Sequence, residues 1–502
     1  MIEERIKSTF LKGKVITAED AANFVKDGMR IGTSGSTSSG YPVSFFKALL
    51  KRAKKERKLS IELWSAAPLG KEIDGDLVEA GLIKRRLCHQ SNPIMAKGIN
   101  NGNILYSDMG TYNFPNQVRY KFFGDLDLCV VEGIFITKEG GIVPSSCMAD
   151  APSFLKIAKN IIIEINTTIP ISMAGIHDVY IPENPPHREP IPLKKVGDRI
   201  GTYYIPIDSN KVVGIIMSDE VVSPPSAEEE GDEISQKIAK HLITFFEDEV
   251  KKGRLPKNLL PLQTGLGTLA TAFLKELANS EFTNIETFSA LLSDPILDLI
   301  DMGKIKMASG TGLYFSSEGL SRFYNNIEKY KRFMILRPVD ISASPELIQR
   351  LGVIAFNGAV EVDIYGHVNS SHLGGGRVIS GVAGSIEYAR NGYLSIFMTP
   401  SVGKGGNISR IVPMVPHVDH TEHEVHVIVT EEGLADLRGL DPRERARLII
   451  SNCAHPDYRP LLNDYLEMAE KESVAHEPHV LDKAFSFHLR LKETKSMKKK
   501  KI

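Results

Sequence analysis

The sequence predicts an α/β protein built on parallel sheets. Three observations carry that prediction. A strand, a glycine-rich turn and a helix follow one another near the start, apolar runs rich in Val and Ile recur through the first half, and a long amphipathic helix opens a second block of the same kind.

Met29-Arg30-Ile31 leads into Gly32-Thr33-Ser34-Gly35-Ser36-Thr37-Ser38-Ser39-Gly40-Tyr41-Pro42, and a helical pattern follows around Phe45, Phe46, Leu49 and Leu50. That order is the grammar of a doubly wound unit. The runs Leu126 to Ile136, Ile161 to Ile165 and Val212 to Met217 read as strands covered on both faces. A connector rich in Pro and charge, 223–232, then separates an N-terminal domain (1–222) from a C-terminal domain (233–490). The C-terminal domain opens with a helix whose stripe is Ile234, Ile238, Leu242, Ile243 and Phe246, ended by Lys252-Gly253. The cation suits the carbonyl end, and glycine takes a left-handed cap. Residues 491–502 read as a solvated basic tail.

Bulk properties narrow the function. The 502 residues include 61 Lys and Arg against 62 Asp and Glu, a net charge of -1, which gives no reason to expect nucleic acid or an anionic membrane as partner. No apolar run is long enough for a span, and the charged start Ile2-Glu3-Glu4-Arg5 lacks the apolar region of a secretory signal. Cys88, Cys129, Cys147 and Cys453 are scattered and read as reduced thiols. The expectation is a cytoplasmic protein.

Three segments could carry chemistry. In Leu262-Gln263-Thr264-Gly265-Leu266-Gly267-Thr268 the glycines let the backbone bring an N–H close to a ligand, and a helix start behind them would add positive charge. Leu373-Gly374-Gly375-Gly376-Arg377, followed by Ser380-Gly381-Val382-Ala383-Gly384-Ser385, lacks the ending of a phosphate-cradling loop and an acidic residue at dinucleotide spacing. The third, His417-Val418-Asp419-His420-Thr421-Glu422-His423-Glu424-Val425-His426, invites a zinc or iron reading. Its spacing converges on no single face, and no further His or Cys cluster lies nearby in sequence. A hydrogen-bonded segment approaching the active cleft is the expectation, with no metal. Cys453-Ala454-His455 offers a nucleophile and a base without a residue to orient them, so a packed cysteine is expected.

Longer motifs identify a family. Glu361-Val362-Asp363-Ile364-Tyr365-Gly366-His367-Val368-Asn369-Ser370-Ser371-His372, Ser401-Val402-Gly403-Lys404-Gly405-Gly406, Ala435-Asp436-Leu437-Arg438-Gly439 and Asp198-Arg199-Ile200-Gly201-Thr202 resemble the acetyl-CoA hydrolase/transferase family of coenzyme A transferases. Within it the likeness is to succinyl-CoA:acetate and propionyl-CoA:succinate transferases. It covers nearly the whole chain.

The resemblance implies two open α/β/α domains of the CoA-transferase type with the active site between them. It implies ping-pong transfer of CoA from an acyl-CoA to a small carboxylate through a glutamyl-CoA thioester. The substrates would be CoA and acyl-CoA, with no covalently bound cofactor, and a homodimer is the common assembly. The backbone N–H groups of Leu266 and Gly384 would hold the oxyanion, and Gln263, Thr264, Gly265, Val360, Ser380, Gly384 and Lys404 would line the CoA channel.

The chain departs from the pattern at the reacting centre. Ala290, in Phe288-Ser289-Ala290-Leu291-Leu292-Ser293-Asp294, occupies the position of the family's nucleophilic glutamate. Ala383 and Ile386 stand where glycines are usual, Ser380 replaces an asparagine, and Gly110-Thr111-Tyr112 replaces His-Leu-Ser. The implied activity is a CoA-transferase inactivated at Ala290, by engineering or by divergence. An acyl-CoA hydrolase and an inert CoA-ester-binding protein are the alternatives.

Overall fold

The computed structural model describes residues 2–56, 58–225 and 231–499. Residues 226–230 of the expected connector and 500–502 of the expected tail lie outside the described residues. The chain divides into two compact units, Met1–Ala227 with Asn284–Leu351 and Ile379–Glu387, and Glu228–Thr283 with Gly352–Val378 and Tyr388–Ile502.

The first unit is organised by a sheet of eight strands: β1 (Met29–Thr33), β2 (Ile61–Trp64), β3 (Ile83–Leu87), β4 (Leu105–Ser107), β5 (Leu128–Ile136), β6 (Ile142–Pro144), β7 (Asn160–Asn166) and β8 (Val212–Ser218). Their order is β4-β3-β2-β1-β5-β7-β8, all parallel along this path, with β6 antiparallel to β5. The three expected apolar runs are β5, β7 and β8. Every residue of β5 is buried, as a central strand covered on both faces requires. The expected helix is Val43–Ala53, whose Phe45, Phe46 and Leu49 pack with Ile31, Leu63 and Val130 of the sheet. The order reverses between β1 and β5, so the loops after these two strands flank the crevice where open α/β sheets take ligands.

Strands Ile285–Phe288, Ile305–Gly310 and Met334–Leu336 run parallel in the same unit, and Leu291–Ser293 pairs with Gly312–Tyr314. The sequence assigned these residues to the C-terminal domain 233–490; they cluster instead with the N-terminal residues. Two buried ion pairs give the reason. Arg119 reaches Asp340 at 2.7 Å, and Arg337 pairs with Asp178, all four side chains at most 3% exposed. Charges so far from water persist only when paired.

The strands that fall in the second unit are Leu262–Gln263, Ile354–Gly358, Leu394–Met398 and Val427–Thr430, parallel to one another, with Gly433–Asp436 antiparallel to the last. The expected amphipathic helix spans Glu233–Lys251, and its Ile238, Leu242, Ile243 and Phe246 are buried. Asp232 caps its start through the Ser235 N–H at 2.8 Å. Its end is a Schellman turn: Gly253 takes φ +72°, its N–H donates to Val250 O, and the Arg254 N–H donates to Glu249 O.

The tail is more ordered than its composition suggests. Helix Ser486–Thr494 runs into it, and Met497 is buried with its N–H on Asn407 O at 2.8 Å. No helix of the described residues is long and apolar enough to cross a membrane.

Candidate active site

In the first unit the candidate residues sit at the carboxyl ends of parallel strands. Ala290 follows strand Ile285–Phe288 on a partly exposed turn. The turn is fixed by its backbone: the Ser289 N–H donates to Ser309 O at 3.0 Å, and Ala290 O accepts from the Thr311 N–H at 2.7 Å. The backbone thus presents residue 290 at a strand end, and its methyl side chain has no lone pair to act as a nucleophile. Glu286, four residues upstream, is paired with Lys306 at 3.2 Å.

The segment bearing Ser380 and Gly384 rests on the ends of β3 and β4. The Gly381 N–H donates to Gln90 O at 2.8 Å, and the Val382 N–H to Asp108 Oδ2 at 2.7 Å. Ser380 Oγ turns back onto Gly381 O. Ala383 has φ +53°, a left-handed conformation that favours glycine. A side chain there costs about 1–2 kcal/mol.

Two segments far apart in sequence, around Gly110 and around Ile386, meet in space. A Cβ at Gly110 would lie 2.1 Å from Glu387 Oε1 and 2.9 Å from Ile386 Cγ2. The Tyr112 N–H donates to the same Glu387 oxygen at 3.2 Å. Residue 110 can only be glycine while Ile386 and Glu387 hold these positions.

Buried titratable groups in and beside the first sheet are what the sequence reading missed. Burial, aided by the Arg86 charge, depresses His89 to about 3, so its ring is neutral. Asp150 is 1% exposed and pushed well up by burial, with Oδ2 accepting from the Ala66 N–H at 2.6 Å. Glu132, in the middle of β5, is raised to about 7 by burial and by the nearby Glu164 charge, against the Ser145 and Asn166 contacts that favour its ionised form. A lone acid inside an otherwise apolar strand was the available signal.

In the second unit three sequence-predicted groups follow neighbouring strands. Gln263 to Leu266 leave strand Leu262–Gln263, Val360 follows Ile354–Gly358, and Lys404 follows Leu394–Met398. Gly267 takes φ +96° and caps helix Thr268–Asn279, so the expected helix start lies directly behind Leu266, which is 36% exposed. The Gln263 side chain is engaged within the unit: its Oε1 accepts from the Phe356 N–H at 3.1 Å. Thr264 is buried, and the Val360 N–H donates to Asn369 O at 2.8 Å. Lys404 is exposed at the tip of hairpin Val402–Gly403 and Ile408–Ser409, in left-handed conformation with Gly405 and Gly406 behind it.

The histidine-rich segment is hydrogen-bonded throughout. His417 Nε2 meets Asp419 Oδ1 at 3.0 Å, Thr421 and Glu424 form a capping box, and the Ser395 N–H donates to His426 Nδ1 at 3.1 Å. Cys453 is a fully buried thiol, pushed up to about 12 by burial, which fits packing and not nucleophilic chemistry.

Known proteins share this architecture and much of this sequence. The acetyl-CoA hydrolase/transferase N-terminal domain matches residues 2–217, and the C-terminal domain of the same name matches 319–466. A succinyl-CoA:acetate CoA-transferase of Clostridium kluyveri is 44% identical, over 99% of this chain and 92% of that protein. An acetyl-CoA hydrolase of Schizosaccharomyces pombe is 42% identical over 99% of both. RipA from Yersinia pestis shares the fold, with a TM-score of 0.70 at 20% identity over 93% of this chain and 99% of that one. Matched end to end at such identity, and with its glycine turns at the strand ends, the chain belongs to the acetyl-CoA hydrolase/transferase family.

Proposed function

We propose that this chain derives from a CoA-transferase that moves CoA from a short-chain acyl-CoA to a small carboxylate of the acetate, propionate, butyrate or succinate type, and that it binds the thioester without turning it over. In the parent reaction a glutamate oxygen attacks the acyl carbonyl and the CoA thiolate leaves, giving an acyl-glutamyl anhydride. The thiolate then attacks the glutamyl carbonyl, releases the carboxylate product and leaves a glutamyl-CoA thioester. An incoming carboxylate reverses both steps. The backbone N–H groups of Leu266 and Gly384 stabilise the oxyanions, and Gln263, Thr264, Gly265, Val360, Ser380 and Lys404 line the CoA path. We place the protein in the cytoplasm as a homodimer.

The observation that carries this reading is Ala290 itself. Its turn is held by the Ser289–Ser309 and Thr311–Ala290 hydrogen bonds, so the frame that would present a nucleophile is intact while the carboxylate is missing. A second reading, thioester hydrolysis, draws on the relative from Schizosaccharomyces pombe named an acetyl-CoA hydrolase.

One variant tests both. Ala290→Glu should raise acyl exchange between an acyl-CoA and a carboxylate by at least about a thousandfold, the scale on which loss of a covalent nucleophile is felt. Hydroxylamine should then intercept a modified residue 290 when no acceptor is present. A gain in thioester cleavage independent of added carboxylate would favour the hydrolase. Inactivity of Ala290→Glu with all four carboxylates would refute descent from a working transferase site and leave a CoA-ester-binding protein.

A further inference from the structure

The structure brings a third residue to the histidine-rich segment. His372, from the preceding loop, stacks on His417 with ring centroids 3.8 Å apart, and one donor atom from each of His372, His417 and Asp419 lies within 4.8 Å of the others. We propose that His372, His417 and Asp419 form a binding site for a divalent zinc-class ion, with a fourth position open to water.

Proton bookkeeping supports the assignment. Asp419 can only accept, so Ser371 Oγ, 2.8 Å from both of its oxygens, gives its single proton to that carboxylate. Ser371 Oγ must then accept from His372 Nδ1 at 2.7 Å. This fixes the His372 tautomer and leaves Nε2 as its lone-pair nitrogen. A serine and a carboxylate that orient a ligating imidazole are the usual outer support of a metal site.

Asp419 is held on its other side by the Ser370 N–H, 2.7 Å from Oδ2. Its Oδ1 lies 3.0 Å from His417 Nε2. Two donors on one tetrahedral zinc, each bonded at about 2.0–2.1 Å, stand roughly 3.3 Å apart, so an ion can replace the proton shared by this pair. That His417 proton is released to solvent on binding. The strands carrying the ligands are tied to each other: the Asp419 N–H donates to Val368 O at 2.9 Å, and the Val368 N–H to His420 O at 2.8 Å. Two imidazoles and one carboxylate suit zinc, cobalt or nickel better than magnesium or calcium.

The neighbouring group of His367, Glu422 and Glu477 fails the same test. His367 meets Asp363 through Nδ1 at 3.1 Å and Glu422 through Nε2 at 2.8 Å, so both nitrogens donate and neither has a lone pair to offer.

The experiment uses the full chain, stripped with EDTA and titrated with Zn2+ by calorimetry. One ion should bind per chain, and X-ray absorption of the zinc-loaded protein should show two imidazoles with oxygen. His372→Gln and His417→Gln should abolish stoichiometric binding. Ser371→Ala, which removes only the outer support, should weaken it about 10- to 100-fold. His423→Gln, at an 81% exposed side chain, should leave it unchanged. Absence of a stoichiometric site, a zinc spectrum without imidazole, or undiminished binding in folded His372→Gln and His417→Gln would overturn the proposal. The absorption measurement on the unaltered chain decides it even where a variant does not fold.

Discussion

Replacing Glu132 by glutamine should stabilise the first unit, and only at neutral and alkaline pH. Glu132 is 2% exposed on β5, directly beside Glu164 of β7 in the sheet register. Its Oε2 accepts from Asn166 Nδ2 at 2.9 Å. Burial is the main reason the carboxyl stands at about 7 instead of its ordinary 4.5, with the Glu164 charge adding to it. In the unfolded chain it ionises near 4.5; in the fold it keeps its proton to about 7. Between those values the folded chain binds the extra proton, so stability falls as pH rises through this window and levels off above it. The shift corresponds to about 3 kcal/mol. The substituted amide cannot ionise, and its carbonyl can keep the Asn166 hydrogen bond. The variant should therefore exceed the parent by about 3 kcal/mol at pH 8 and match it below about pH 4.5. Trp64, the only tryptophan of the chain, is fully buried on β2 of the same sheet, so its fluorescence during urea unfolding reports on this unit. An equal difference between the two proteins at both pH values would refute the argument, because packing and not ionisation would then be responsible.

Two further outcomes follow from the second unit. Lys404→Ala should weaken CoA binding by roughly 1–3 kcal/mol if its ammonium meets an ionised group of the ligand, measured by calorimetry; unchanged affinity would make Lys404 an ordinary surface cation. His367 lies among Asp363, Glu422, Glu477, Arg445 and His479; burial lowers its pKa, but the Asp363 and Glu422 carboxylates overcome this and raise it to about 9. Its contribution is fully present below its ordinary 6.5 and is lost as pH rises through about 9. Unfolding scans should show the parent losing up to about 3 kcal/mol of its advantage over His367→Gln across that interval, and parallel pH curves would count against it.

What the sequence disclosed was local. The all-buried run of β5, the helix Val43–Ala53 and the Schellman end of Glu233–Lys251 each follow from residues close together in the chain. The glycine turn before Thr268 was visible for the same reason, since a left-handed Gly267 and a helix start are written side by side. The allegiance of 284–351 was not, because Arg119–Asp340 and Asp178–Arg337 join residues far apart in sequence. At the candidate site, position and partner separated: Gln263 stands at its strand end as expected, but nothing in its neighbours announces the Phe356 N–H it satisfies. His372 was missed because only the fold sets it against His417. Glu132 was legible and passed over, being the single charge of its strand.

The crowding around Gly110 couples two stretches of chain that lie far apart in sequence. With Ile386 and Glu387 where they stand, a Cβ at 110 would meet Glu387 Oε1 at 2.1 Å and Ile386 Cγ2 at 2.9 Å, so a side chain there requires both of them to shift. Giving residue 110 a side chain therefore calls for exchanging 110–112 and 383–386 of this chain as a block.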